Sequence, residues 1–157
     1  MNVLVTGNNG YIGSMLTQLL LENGYQVTGL DTNYYGGCEF NKFSYSQIKQ
    51  INKDIRTVAK SDLGNIEAVV HLAALSNDPL GAFDAKLTDD INYLATVKLA
   101  NLAKESGIRR FIYASSCSLY GIAGEEAVSE DSPMSPVTEY AISKVKSEEA
   151  LSKMADP

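Results

Sequence analysis

The sequence has few of the residues that build metal centres and disulfide frameworks. Its two cysteines, Cys38 and Cys117, lie far apart, and His71 is the single histidine. Isolated thiols without metal-ligand spacing argue against a disulfide framework and favour a reducing, cytoplasmic setting. A lone histidine cannot build a metal site unaided, so no metal is predicted.

Basic runs and long apolar runs are also lacking. The net charge is −6 and the densest basic pair is Arg109–Arg110, so we predict no nucleic-acid partner. No stretch approaches the length of a membrane span, and residues 1–5 do not resemble a secretory signal, so no membrane partner is predicted. With 157 residues, 45% of them hydrophobic, the chain is long enough for one domain with a substantial core.

Short apolar runs alternate with helical patterns along the chain. Strands are predicted at 2–6, 26–30, 51–55, 68–72 and 110–115, and helices at 13–22, 89–106 and 138–154. Residues 32–50 are predicted to be irregular with a short helix near Gln47, and Asn77–Pro79 to form a turn or a substrate-facing loop. This alternation predicts an α/β fold with a Rossmann-like, doubly wound parallel sheet. Its ligand site is expected at the carboxyl ends of the strands.

A glycine-rich segment follows the first predicted strand and opens the first predicted helix. Its G-x-x-G-x-x-G spacing is typical of a loop that holds a dinucleotide pyrophosphate. Gly7 permits the tight turn, Gly10 lets the backbone approach the phosphates, and Gly13 allows close packing of helix and strand. Asp31 ends the second strand, where a carboxylate accepts hydrogen bonds from ribose hydroxyls and repels a 2′-phosphate, which favours NAD over NADP. The simpler alternative is a turn with Asp31 as its cap.

Tyr140 and Lys144 are four residues apart in the last predicted helix. This spacing places a phenol and an ammonium on one helix face. A fixed positive charge favours the phenolate, so the tyrosine could exchange a proton with a substrate hydroxyl. Taken alone, this spacing more often marks a solvated lysine beside a half-buried tyrosine than a catalytic pair.

Together these motifs resemble the extended short-chain dehydrogenase/reductase family, the NAD-dependent nucleotide-sugar epimerases and dehydratases. Thr6–Gly13 is similar to the family's T-G-x-x-G-x-I-G loop, and Ser115–Gly121 to its S-S-x-x-x-Y-G segment. Tyr140 and Lys144 match its Y-x-x-x-K pair. Further matches are Asp54–Ile55, His71–Ala74 and Asn92, so the resemblance covers nearly the whole chain.

The resemblance implies NAD as the cofactor and assigns roles to particular residues. Tyr140 would exchange the proton of a sugar hydroxyl, Lys144 would support it and bond the nicotinamide ribose, and Ser116 would orient the reacting oxygen. Asp54 could instead be an exposed turn carboxylate, and Ser118 is the main rival of Ser116. The implied catalytic residues are Ser116, Tyr140 and Lys144. The implied cofactor-binding residues are Gly7, Asn9, Gly10, Tyr11, Ile12, Gly13, Asp31, Asp54, Ile55, Leu72, Ala73, Ala74, Asn92, Tyr140 and Lys144.

The function implied by the resemblance is hydride transfer at a sugar carbon by an epimerase-type oxidoreductase. Dehydratases of the family typically carry acidic residues beside the catalytic Ser or Thr. Here Cys117 and Ser118 occupy those positions, which favours an epimerase or a plain oxidoreductase over a dehydratase. A non-catalytic NAD-binding module or sensor, and a reductase of small carbonyl compounds, stay open as alternatives.

In the resembled family the chain continues past the Y-x-x-x-K helix into further strands and a C-terminal substrate domain. We therefore expect residues 1–157 to form one NAD-binding domain that is incomplete, with the substrate domain absent. A nucleotide-sugar substrate would need that missing part. An exposed sheet edge beside the fifth strand is expected to favour a homo-oligomer.

Overall fold

Five parallel strands form a single sheet in the part of the chain that the computed structural model describes, residues 1–36, 48–122 and 127–155. The strand order is β3-β2-β1-β4-β5, so the order reverses at the central strand β1. The sequence prediction of a Rossmann-like, doubly wound parallel sheet is confirmed. The strands are β1 (Asn2–Thr6), β2 (Gln26–Asp31), β3 (Lys49–Asn52), β4 (Ala68–His71) and β5 (Arg110–Tyr113).

Helical segments separate the strands along the chain. The α-helices are α1 (Tyr11–Glu22), α2 (Lys60–Leu63), α3 (Asp78–Phe83), α4 (Ala85–Thr88), α5 (Ala95–Glu105) and α6 (Glu139–Met154). A π-helical segment, Asp89–Leu94, lies between α4 and α5 in the sequence, and 3-10 turns span Ile55–Thr57 and Cys117–Tyr120. Among the described residues, no helix combines the length and the apolar character that crossing a membrane requires.

The chain divides into two compact units. The first, here called the sheet unit, comprises Met1–Ala74 and Lys98–Ala114 and contains all five strands. The second, the helical unit, comprises Leu75–Val97 and Ser115–Pro157 and contains α3, α4, the π-helical segment and α6. The assignment of residues 1–157 to one NAD-binding domain stays a prediction.

The core of the sheet unit is built from short aliphatic side chains on the strands. Val3, Val5 and Val27 form a buried cluster, and Leu16 and Leu20 of α1 pack against it. Successive strand residues point to opposite faces, so the fully buried Leu4, Leu30 and Val69 lie on the other face. Burial on both faces explains why β1 and β4 are continuous apolar runs in the sequence.

Three boundaries near the predicted ligand end differ from the sequence prediction. α1 begins at Tyr11 rather than residue 13, because Gly10 takes the N-cap position. β3 covers Lys49–Asn52 rather than 51–55. The Asp54 side chain instead accepts a hydrogen bond from the backbone N–H of Arg56 and caps a 3-10 turn, which stops the strand before that residue.

The long predicted helix and the later strands also differ in detail. The region predicted as one helix at 89–106 is a π-helical segment followed by α5, which ends at Glu105. β4 and β5 end at His71 and Tyr113, short of their predicted ends. The short helix predicted near Gln47, and Cys38, lie outside the described residues.

Candidate functional site

The glycine loop of the sheet unit has the geometry that its spacing predicts. Gly7 has a positive φ of 73°, and its N–H donates to the carbonyl of Leu30 at 2.8 Å. A Cβ at Gly7 would lie 2.8 Å from the backbone nitrogen of Ala73, and a Cβ at Gly13 only 2.0 Å from the carbonyl oxygen of Gly7. Side chains at these two positions would therefore push the turn apart.

The loop leads into the N-terminus of a helix. Among the described residues, no side chain caps this N-terminus. Gly10 is the N-cap of α1, and the first turn of this helix contains no acidic residue. Tyr11 and Ile12 are mostly exposed, at 86% and 63%. An open helix N-terminus beside side-chain-free backbone suits a pyrophosphate, because its N–H groups and partial positive charge face outward. The residues present fit a dinucleotide.

Asp31 lies beside this loop. Its Oδ2 accepts a hydrogen bond from the backbone N–H of Asn9 at 3.0 Å, and its Oδ1 accepts one from the N–H of Asn33 at 2.8 Å. Asn33 has a positive φ of 61°, a conformation that asparagine tolerates better than most residues. Each carboxylate oxygen can accept about two hydrogen bonds, so Asp31 keeps acceptor capacity for ribose hydroxyls.

The other polar residues predicted in the sheet unit have well-defined partners. Thr6 Oγ1 lies 2.6 Å from Nδ1 of the buried His71 and accepts hydrogen bonds from the N–H groups of Leu72 and Ala73. The Thr6 hydroxyl and the His71 ring are therefore hydrogen-bonded to each other beside the start of the segment after β4. His71 is thus a satisfied histidine that fixes the segment after β4. Ala74 ends this segment of the sheet unit.

Asp54 is held by its neighbour in the sequence. Arg56 donates to it through both its backbone N–H and its guanidinium, with a shortest contact of 2.7 Å. The hydrogen bond from the Arg56 side chain lowers the pKa of Asp54. Ile55 is buried. The adenine contact that the resemblance implies for Asp54 and Ile55 stays a prediction.

Asn92 is fully buried and links segments of the helical unit by hydrogen bonds. Its Oδ1 accepts from the backbone N–H of Leu75 at 2.8 Å, and its Nδ2 donates to the carbonyl of Leu75 and to Ser143 Oγ. Ser143 in turn donates to the carbonyl of Tyr140 at 2.7 Å. Asn92 therefore connects the residue after Ala74 to the helix that carries Tyr140, and its partners give it a structural role.

Ser116 and Ser118 interact directly. Ser116 Oγ accepts hydrogen bonds from the Ser118 hydroxyl at 2.9 Å and from the Ser118 N–H at 3.2 Å. Ser116 is thereby the cap of the 3-10 turn Cys117–Tyr120, which packs against α6. Cys117 between the two serines is an exposed free thiol. The Ser118 hydroxyl thus donates within the pair, and among the described residues no hydrogen bond donated by the Ser116 hydroxyl is found.

Tyr140 and Lys144 share one face of α6, as their spacing predicts. The ammonium Nζ lies 5.6 Å from the centre of the Tyr140 ring. Lys144 is only 4% exposed, and this burial lowers its pKa from 10.5 to about 8, an effect that the charge of Glu148 partly offsets. Lowered lysine pKa values are a feature of functional sites, because a buried charge is expensive to keep for structure alone.

A second lysine and tyrosine in the same unit show what an ordinary surface pair looks like. Lys146 Nζ also lies 5.6 Å from the ring centre of Tyr93. However, Lys146 is exposed, and its hydrogen bond to Asp89 at 2.6 Å raises its pKa. The two pairs have the same separation, but the lysine pKa is lowered in one and raised in the other. Burial rather than spacing therefore distinguishes Lys144.

The N-terminus of α6 is fixed by contacts that the sequence interpretation missed. Thr138 Oγ1 accepts from the N–H of Ala141 and donates to Asp78 at 2.6 Å. A Cβ at Gly81 would lie 2.9 Å from Cβ of Tyr140, so α3 packs closely against the start of α6. The capping rule for threonine could have identified Thr138, but nothing in the sequence marks Gly81.

The fold and these two groups of residues define a dinucleotide-binding protein of the short-chain dehydrogenase/reductase class. The model of the NAD dependent epimerase/dehydratase family matches residues 3–156, so the chain belongs to that family. The family predicted from the sequence, with NAD as its cofactor, is confirmed, and its characterised relatives are enzymes.

Individual relatives agree with this assignment. The UDP-glucose 4-epimerase of Mycolicibacterium smegmatis is 32% identical over 94% of this chain and 49% of its own length. The UDP-N-acetylglucosamine 4-epimerase of Methanobrevibacter ruminantium has a TM-score of 0.89 at 28% identity, covering 98% of this chain and 50% of the other. The UDP-glucuronic acid 4-epimerase of Bacillus cereus, solved with NAD, has a TM-score of 0.80 at 31% identity, covering 98% and 52%. The chain thus spans about half the length of these relatives.

Proposed function

We propose that this chain is the NAD-binding and proton-transferring part of an epimerase-type oxidoreductase that acts on a nucleotide sugar. The observation that carries the proposal is the buried Lys144 ammonium, 5.6 Å from the ring centre of Tyr140 and with a pKa of about 8. Membership of the epimerase/dehydratase family supports the same role for this pair.

NAD, when bound, accepts a hydride from a sugar carbon and returns it, and the protein residues manage the accompanying proton. Tyr140 takes the proton from the sugar hydroxyl and later gives it back. Lys144 is mostly charged at pH 7 because its pKa lies near 8, so it holds positive charge beside the phenol. Its ammonium is also the group we assign to the nicotinamide ribose.

Ser116 rather than Ser118 donates to the reacting sugar oxygen in this proposal. Ser118 donates its hydroxyl proton to Ser116. A serine hydroxyl has only one proton to donate, so Ser118 has none left for a substrate. Ser116 accepts two hydrogen bonds from Ser118 and keeps its own proton for a ligand. Neither Cys117 nor Ser118 is acidic, which supports an epimerase or plain oxidoreductase over a dehydratase.

The remaining assignments follow from the pyrophosphate loop and its surroundings. We propose that the loop with Gly7, Asn9, Gly10, Tyr11, Ile12 and Gly13 holds the diphosphate, and that Asp31 selects NAD over NADP. The substrate is proposed to be a UDP-sugar, and the assembly a homo-oligomer. The isolated cysteines, of which Cys117 is a free thiol, support a cytoplasmic setting.

Cofactor binding by the 157-residue chain, and turnover by a chimera that joins it to the part of the Mycolicibacterium smegmatis relative that it does not span, test this proposal separately. With NAD and UDP-glucose, we expect the chimera to form UDP-galactose and Tyr140→Phe to abolish that turnover, while the Kd of the chain for NAD changes less than about twofold. Ser116→Ala should lower turnover by about a hundredfold, the usual effect of losing one such donor.

Tyr93→Phe is the matched control, because it removes the hydroxyl from the other lysine-facing ring of the helical unit. This variant should turn over normally. Activity in Tyr140→Phe would refute the assigned proton transfer. Tight NAD binding by the chain with no turnover in the chimera would instead favour the alternative of a non-catalytic NAD-binding module.

A further inference from the structure

We propose that Asn8 is the positioning residue of the dinucleotide loop and that it acts together with Gly29 and Gln50. This inference deepens the proposed function, because it rests on NAD binding at the loop from Gly7 to Gly13. Asn8 stands at a position where the loop motif accepts any residue, so the motif itself gives it no role.

Asn8 takes the place of a missing side chain on β2. Its side chain is completely buried, at 0% exposure. A Cβ added to Gly29, in the middle of β2, would lie 2.4 Å from Nδ2 and 2.5 Å from Cγ of Asn8. Glycine weakens a strand interior, and here its absence of a side chain creates the room that the loop amide fills.

A pair of hydrogen bonds then joins this amide to the edge strand β3. Asn8 Nδ2 donates to Gln50 Oε1 at 2.9 Å, and Gln50 Nε2 donates back to Asn8 Oδ1 at 3.2 Å. Gln50 pairs with Gly29 in the sheet register, so the amides meet directly above the glycine. The loop is therefore anchored to two strands at once.

The same amide fixes the next residue of the loop. The second proton of Asn8 Nδ2 goes to Asn9 Oδ1 at 2.6 Å, and Asn9 Nδ2 donates to Asn33 Oδ1 at 3.0 Å. Meanwhile the backbone N–H of Asn9 is held by Asp31. Asn9 is thus fixed through both its side chain and its backbone, and every donor of Asn8's amide is used.

A loop ordered in this way is prepared for its ligand. Ordering a loop during binding costs affinity, and a loop held beforehand avoids that cost. Asn8 is buried and faces Gly29 and Gln50, so it acts on NAD through the position of the loop backbone. Removing its amide should weaken NAD binding, and crowding it from Gly29 should do the same.

Isothermal titration of the 157-residue chain with NAD tests this coupling. We expect Asn8→Ala and Gly29→Ala each to raise the Kd about tenfold, well above the usual error of such comparisons. The double variant should bind NAD no worse than Asn8→Ala alone, because the methyl group of Ala at position 29 then occupies the space that Asn8 has left. If Gly29→Ala does not fold, recovery of a folded protein in the double variant is the expected result.

Val27→Ala is the control for a purely structural effect, because Val27 is a buried residue of the same strand that belongs to the aliphatic cluster with Val3 and Val5. It should lower the melting temperature and leave the Kd for NAD unchanged. Three results would each overturn the role of Asn8. The first is a double variant in which the two increases in Kd multiply, the second is a double variant that stays unfolded, and the third is an unchanged Kd in Asn8→Ala. An unmodified chain that does not bind NAD would overturn both this inference and the proposed function. A chain that binds NAD with a Kd that Asn8→Ala does not change would overturn this inference alone.

Discussion

Replacing Lys144 by methionine should stabilise the fold while removing the proposed activity. Lys144 is only 4% exposed, and burial lowers its pKa from 10.5 to about 8. Each pKa unit corresponds to about 1.4 kcal/mol, so keeping the ammonium charged inside the folded protein costs about 3 kcal/mol at neutral pH. Methionine has a similar length and no charge, so it recovers most of that free energy.

The pH dependence of this gain has a definite sign. Below pH 8 the lysine is protonated in both the folded and the unfolded chain, and the full cost is present. Between pH 8 and about 10.5 the unfolded chain binds more protons, so the free energy of unfolding of the unmodified protein rises with pH. The advantage of Lys144→Met should therefore be greatest below pH 8 and shrink above it.

Urea unfolding of both proteins at pH 7 and pH 9.5 measures this difference. Comparing the two proteins at each pH cancels the titration of every other group. Lys146→Met is the matched control, because that lysine is exposed and bound to Asp89, and its loss should destabilise the protein slightly, if at all. A Lys144→Met protein that is less stable than the unmodified chain at pH 7 would refute the reasoning.

Three further predictions concern packing, the buried amide and cofactor choice. Gly13→Ala should cost about 3 kcal/mol of stability in urea unfolding, because its Cβ would lie 2.0 Å from the carbonyl oxygen of Gly7; unchanged stability would contradict the packing. Asn92→Leu should cost about 3 kcal/mol by removing the acceptor of the half-buried Leu75 N–H, and a neutral effect in thermal unfolding would contradict that bond. Asp31→Ala should weaken NAD binding and bring the Kd for NADP close to it in calorimetric titrations, whereas equal affinities in the unmodified chain would refute the role of Asp31.

The centre of the sheet could be predicted because β1 and β4 are short apolar runs buried on both faces. β1 and the start of α6 are found within a residue of their predicted bounds, where Gly7 and the cap Thr138 mark the ends. The π-helical segment Asp89–Leu94 could not be predicted, because its apolar residues follow the spacing of an ordinary α-helix. The turn predicted at Asn77–Pro79 is wrong: Asn77 caps the six-residue helix α3, which is too short to show a helical pattern in the sequence.

The candidate site was predictable where backbone geometry or spacing restricts the residue type. Gly7, Gly13 and the pair Tyr140/Lys144 belong to that group. Asn8 does not, because its importance arises from a contact with Gly29 that is 21 positions away in sequence and visible only once β2 lies beside the loop. The burial of Lys144, which separates it from Lys146, also depends on tertiary packing that spacing cannot express.

Native mass spectrometry of the purified chain, incubated with equal concentrations of NAD and NADP, tests the central claim most directly. The claim is that the loop from Gly7 to Gly13, together with Asp31, forms an NAD site. The account predicts a species heavier by one NAD per chain, with the NADP species minor, and a smaller fraction of the NAD species in Asn8→Ala at the same concentrations. A chain that takes up neither dinucleotide, or takes up both equally, would contradict it.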